Sequence, residues 1–88
     1  MPVLSIFFGI IVRMYSEANG RHNIPHIHVQ YQEYETVISL EGDILEGNIP
    51  VKKLRLVLAW IEIHQEDLLA NWSLLSEGHS CFRIDPLK

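Results

Sequence analysis

The chain has 88 residues, 48% of them hydrophobic and 20% charged, and a formal net charge of −4. That length suits one domain, spanning residues 1–88, and is short for two; the balance of apolar and charged residues excludes a disordered chain. The negative charge disfavours a general nucleic-acid binder outside a local basic patch, and the single cysteine, Cys81, excludes a disulfide framework or a Cys-rich zinc site and points to the reducing cytoplasm.

The first segment, residues 3–16, is rich in Val, Ile, Phe and Tyr and reads as strand, with Gly9 marking a bulge or a tight turn between two short strands. Its apolar run from Val3 to Val12 lacks a positive flank and a small-residue cleavage site, so no signal peptide is expected. The run is also far short of the roughly 20 residues that span a bilayer. Residues 17–25, with Gly20, two Asn and Pro25, read as a loop.

Residues 26–31 form the next expected strand and residues 34–40 its hairpin partner. If Gln32 and Glu33 alone make the turn, Ile27, Val29 and Tyr31 share one face with Tyr34, Thr36 and Ile38. His26, His28 and Gln30 then share the other face with Glu35, Val37 and Ser39. The first face is the better core candidate. Glu41-Gly42-Asp43 signals a second turn, and Ile44 and Leu45 begin another short strand.

Pro50 suits the first turn of a helix, and no Pro or Gly follows from Val51 to Glu77. Leu54, Leu58, Ile61, Leu68, Trp72 and Leu75 recur at helical spacing, and Gly78 is a fitting stop. One long helix is expected, with a kink or a break into two helices near His64 as the alternative, because Gln65 falls where an apolar residue belongs. A second apolar row, Leu56, Trp60, Ile63, Ala70 and Leu74, lies well over 90° away around the helix axis. Either the rest of the chain wraps over that row, or Leu56, Trp60, Ile63 and Leu74 bind a partner or a second copy. Cys81 to Ile84 reads as a last strand with Phe82 and Ile84 on one face. The expected fold is therefore α+β: an antiparallel sheet of four or five short strands packed on a long helix.

The candidate chemistry centres on His26 and His28, which strand alternation places on one face, away from the main core. Two such imidazoles can share a zinc or nickel ion if a third ligand converges; His64, Glu35 and His22 are the candidates, and Asp67 follows His64 by three residues. The alternatives are half-exposed histidines satisfied by neighbours, or metal-free catalysis or anion binding. His26-Ile27-His28-Val29-Gln30 also resembles the nucleotide-transferring branch of the histidine-triad superfamily, whose central His attacks a phosphate. Against that reading, only 25 residues precede the motif and no Gly-rich phosphate loop is visible. Arg13, a charge within an apolar strand, is expected to be paired, with Glu35 or Glu41 as candidate partners, or else to bind an anion. Lys52 and Lys53 sit at the helix N-terminus, where the dipole disfavours cations. They read as a solvated end or as a contact for an acidic partner.

The order FFGIIVRMY, PHIHVQY, LEGNIP, then LRLV, AW, IH and EDLLANW on the helix, then IDPL, resembles the small bacterial family of the domain of unknown function 4160. Members usually read N-P-P-H-F-H where this chain has Asn23-Ile24-Pro25-His26-Ile27-His28. This chain also carries extra residues around Asn19 to His22, and Gln32-Glu33 replaces a Gly-containing turn. The resemblance implies a compact bacterial cytosolic α+β domain, often encoded beside a second small gene in a toxin–antitoxin-like arrangement. The leading expectation is an interaction component of such a two-gene module, binding a partner protein or itself as a homodimer. The alternative is a small hydrolase or nuclease that uses His26 and His28, with Arg13 as a further candidate and with or without a metal.

Overall fold

A computed structural model describes residues 2–15 and 24–88 of the chain. Five strands form one antiparallel meander in the order β1 (Val3–Phe7), β2 (Ile10–Arg13), β3 (His26–Tyr31), β4 (Tyr34–Ser39) and β5 (Ile44–Gly47). Two helices follow, α1 (Val51–Ile63) and α2 (Gln65–Ser76).

The turns explain the strand boundaries. Gly9 makes a tight turn rather than a bulge: Phe8 (φ 49°) and Gly9 (φ 78°) both take positive φ, the combination a two-residue hairpin with the right strand twist needs. Gln32 and Glu33 form the next two-residue connection, with Gln32 at φ 54°. That loop length sets Ile27 opposite Ile38, Val29 opposite Thr36 and Tyr31 opposite Tyr34, as alternation requires. The β4–β5 turn is held by the Ser39 hydroxyl, which accepts from the Asp43 amide at 3.0 Å, and by the Gly42 amide donating to the Ser39 carbonyl at 2.9 Å. A bulge at Val37/Ile38 then shifts the register of β5. At Gly47 (φ 73°) the chain leaves the sheet so close to β4 that any side chain would strike the Glu35 carbonyl.

Alternation divides the sheet. Ile10, Val12, Ile27, Val29 and Ile38 are buried against the helices, together with Leu4 and Phe7 of β1. The helical side of that core is Val57, Trp60 and Ile61 on α1 and Leu68 on α2. Trp60 is fully buried, its ring centroid 5.4 Å from that of Phe7. For Trp60 this corrects the expectation that it binds a partner. Val57, in neither apolar row, is the centre of the buried arc, and at 100° per residue Trp60 lies about 60° to one side of it and Ile61 about 40° to the other. Leu56 is half-buried against the same core, which leaves Ile63, 65% exposed, as the outlying member of the row on α1. Leu74 on α2 is half-buried.

The helical segment is two helices rather than one. His64 departs from helical geometry (φ −108°, ψ 26°), although its amide still donates to the Trp60 carbonyl at 3.0 Å and its carbonyl accepts from Leu68 at 2.9 Å. The cause is Gln65. Its side-chain amide donates to the Ile61 carbonyl at 3.3 Å, inside the helical ladder, and to the Leu40 carbonyl at the end of β4 at 2.9 Å. Glu66 and Asp67 in the first turn of α2 complement its dipole.

The C-terminal segment is not the strand expected at Cys81 to Ile84. It is an irregular strap, buried at Ile84 and exposed at Phe82, so these two residues do not share a face. Three contacts tie it down. The Ile84 amide donates to the Leu4 carbonyl on β1 at 2.8 Å. The buried Asn71 side chain exchanges two hydrogen bonds with the Phe82 backbone, at 2.7 and 3.0 Å. The Trp60 indole donates to the Asp85 carbonyl at 2.8 Å.

Two outcomes follow from this packing. Gly47→Ala should lose at least about 2 kcal/mol through positive φ and the collision with Glu35, whereas Gly78→Ala, also at positive φ but facing open space, should lose about 1 kcal/mol; urea unfolding compares them. Trp60→Ala should cost about 3–5 kcal/mol and loosen the strap, while Trp60→Phe, which keeps most of the ring volume but not the bond to Asp85, should cost markedly less; proteolysis of the C-terminal segment and the same unfolding curves report both.

Candidate functional site

The sheet face turned away from α1 carries the polar residues. Register places Arg13 on β2 beside His28 on β3, His28 beside Val37 on β4, and Val37 beside Glu46 on β5. In the neighbouring row Gln30 pairs with Glu35. These residues line a cleft of about 390 Å³ together with Tyr15 and Gly47. A cleft of that size falls within the range of small-ligand sites.

The basic and aromatic groups of the cleft are positioned by neighbours. The Arg13 guanidinium donates from Nη1 to the Gln30 side-chain oxygen at 2.9 Å, so the expected pairing is met by an amide rather than by Glu35 or Glu41. The His28 ring stacks on Tyr15 with centroids 4.3 Å apart, and Tyr15 Oη lies 3.2 Å from His28 Nδ1. Thr36 Oγ1 donates to the Glu46 carbonyl at 2.9 Å and steadies β5 at the cleft wall. One wall therefore bears a guanidinium, an imidazole and a phenol, and the other bears two carboxylates.

His26 and His28 do share a face, as expected: their rings meet edge to face at 5.2 Å while Ile27 and Val29 point into the core. Their environments differ, however. His28 is half-buried at the cleft, whereas His26 is fully buried, against the expectation that both stand away from the core. The physical reason is local satisfaction. His26 Nδ1 lies 2.6 Å from the Ile24 carbonyl, which can only accept, so Nδ1 carries the proton; the ring also packs 5.1 Å from Trp72 of α2.

The third ligand expected for a metal is not assembled by these residues. His64 packs on Trp60 at 5.4 Å and lies 3.8 Å from Asp67, at the helix junction. His22, and Arg21 beside it, lie outside the described residues. Among the described residues, no group of three or more His, Cys, Asp or Glu is placed to hold a metal ion. Lys53, expected to be solvated or to await an acidic partner, has its ammonium 5.1 Å from the Tyr31 ring centroid, a cation–π contact that offsets its unfavourable place at the helix start.

Tyr15 and Glu46 were not among the expected site residues. Tyr15 was legible, because it follows Arg13 by two positions and so keeps its side of the chain. Glu46 was not, because the bulge at Val37/Ile38 breaks the parity by which β5 could be read from β4.

Among the described residues, no helix is long and apolar enough to cross a membrane. No curated protein and no solved structure matches the chain. A family match covers residues 9–73, from the first hairpin turn through most of α2 and including the cleft residues from Arg13 to Gly47. With well over half of its length matched, the chain belongs to the family described as Domain of unknown function (DUF4160).

Proposed function

We propose that this protein is the interaction component of a small bacterial, cytoplasmic two-gene module of the toxin–antitoxin type, and that it engages its partner protein through the cleft on the sheet face. The observation that carries this reading is the cleft itself: four strands contribute Arg13, His28, Gln30, Glu35 and Glu46 to one concavity on the face opposite α1. A lone solvated sheet face needs neither a guanidinium braced by Gln30 nor a stacked His–Tyr pair. Braced polar groups are what recognition requires, because their ordering entropy has already been lost before the partner arrives.

The second reading is a small hydrolase. What favours it is the meeting of His28, Arg13 and two carboxylates in one cleft. In that reading His28, at the cleft wall, is the acid–base group, and His26, buried against Trp72, positions it.

Co-expression with the product of the adjacent gene separates these readings. The neighbouring product should co-purify with the wild type. His28→Ala and Glu35→Lys should each release it without lowering the melting temperature by more than a few degrees, and Ile63→Glu, on the exposed helix surface, should leave it bound. Retention through both cleft substitutions, or release by Ile63→Glu, would remove the cleft as the docking surface. Turnover of an ester or phosphodiester substrate that His28→Ala abolishes would favour the hydrolase instead.

A further inference from the structure

The side of α1 turned away from the sheet carries a seam of exposed residues. Lys52, Arg55, Ala59, Glu62 and Glu66, the last in the first turn of α2, follow one another at alternating steps of three and four. That is the spacing by which one helix packs along another. At 100° per residue Ala59 points about 160° away from Val57, the centre of the buried arc, so the seam faces solvent. Ile63, 65% exposed, lies beside it.

The charges along this seam are ordered against the helix that bears them. Both cations stand in the first two turns of α1 and Glu62 in its last, the reverse of what the dipole favours. Lys52 and Arg55 are like charges three residues apart, and Glu62 and Glu66 are like charges four apart, spacings at which they repel. Among the described residues none of these four forms an ion pair within the chain. One arrangement offsets all of these costs: a second copy of α1 lying antiparallel to the first. About a twofold axis at Ala59, residues equally far before and after it come face to face. Lys52, seven before, then meets Glu66, seven after; Arg55, four before, lays its aliphatic stem on Ile63, four after, with its guanidinium beside the carboxylates. The cations of each copy stand near the C-terminal end of the other's α1, where the dipole favours them. Ala59, on the axis, is small enough to let the helices approach closely.

We infer that α1 is a self-association surface whose occupant is a second copy of this chain, packed antiparallel across Ala59 with Lys52 and Arg55 of one copy against Glu62 and Glu66 of the other. An acidic segment of another protein would answer the cations alone, and a basic one the carboxylates alone; a second copy answers both at once. The seam lies on the far side of α1 from the sheet, so the two clefts of the dimer face outward and the pairing does not depend on what fills them. A seam of exposed charges loses hydration on closing, so the dimer is weak and salt-sensitive rather than obligate.

Sedimentation equilibrium of the full chain, taken to millimolar concentration, reads the association. The wild type should pass from monomer to dimer as concentration rises, and raising the ionic strength from about 0.05 to about 0.5 M should weaken the dimer at least about fivefold. The Lys52→Glu/Arg55→Glu variant makes the seam wholly acidic, and the Glu62→Lys/Glu66→Lys variant makes it wholly basic. Each should stay monomeric alone, and an equimolar mixture of the two should form a one-to-one dimer, a recovery that misfolded variants could not show. In a Cys81→Ser background, Ala59→Cys should cross-link into a disulfide dimer on mild oxidation, and Leu69→Cys, ten residues from the axis, should not. Ile63→Glu should weaken the dimer while the neighbouring gene's product stays bound at the cleft, so this inference and the docking function fail separately. A wild type that stays monomeric, a dimer that neither charge variant weakens, a mixture that does not pair, or failure of Ala59→Cys to cross-link would overturn the inference.

Discussion

The two-residue connection at Gln32-Glu33 is the constraint from which the rest of this molecule follows. A strand pairing has a side-chain period of two, so the length of that loop decides which residues of β3 and β4 face the helices. With two residues, Ile27, Val29 and Ile38 enter the core and His28, Gln30 and Glu35 line the cleft. A slip of one position would send the histidines under Trp60 and the isoleucines into the cleft. Gln32 accepts a positive φ to keep this register, a small local cost set against the burial of a whole apolar face.

The opposite end of the molecule is organised by Trp60. Its ring meets Phe7 from the sheet and His64 at the helix junction, and its indole nitrogen holds the C-terminal strap at Asp85. A domain of this length has a thin core, so one large side chain that touches sheet, helix and strap makes the whole cooperative. The break at His64 belongs to the same arrangement. By bonding to both Ile61 and Leu40, Gln65 turns the chain so that α2 brings Leu68 into the core and Trp72 onto His26. Thus the same helix junction that shapes the core also buries one histidine of the pair.

This asymmetry between His26 and His28 gives two like residues on a single strand quite different surroundings. The two residues have the same side chain and the same face, and their rings touch. Yet one is enclosed by a tryptophan and a backbone carbonyl, and the other stands at a cleft beside Arg13. The chemistry available to each is set by what lies around it rather than by residue type.

Much of this was legible from the sequence alone. Alternation of Ile27, Val29 and Tyr31 against His26, His28 and Gln30 is a local property of an extended chain, so an antiparallel meander of four or five strands, the shared histidine face and, for a two-residue loop, the β3–β4 register could be read directly. The family was legible too, because short motifs such as Arg13-Met14-Tyr15 and Pro25-His26 are contiguous in the chain. What required the tertiary structure were the features made by residues distant in sequence. Leu40 decided the helix break through Gln65, and Trp72 decided the burial of His26. Phe7 and Asp85 drew Trp60 into the core and away from a partner surface. The bulge at Val37/Ile38 turned Glu46 into the cleft. Periodicity tells a side chain which way to point, but only the packed chain determines what it meets there, because burial and pairing are properties of contacts between segments and not of any segment alone.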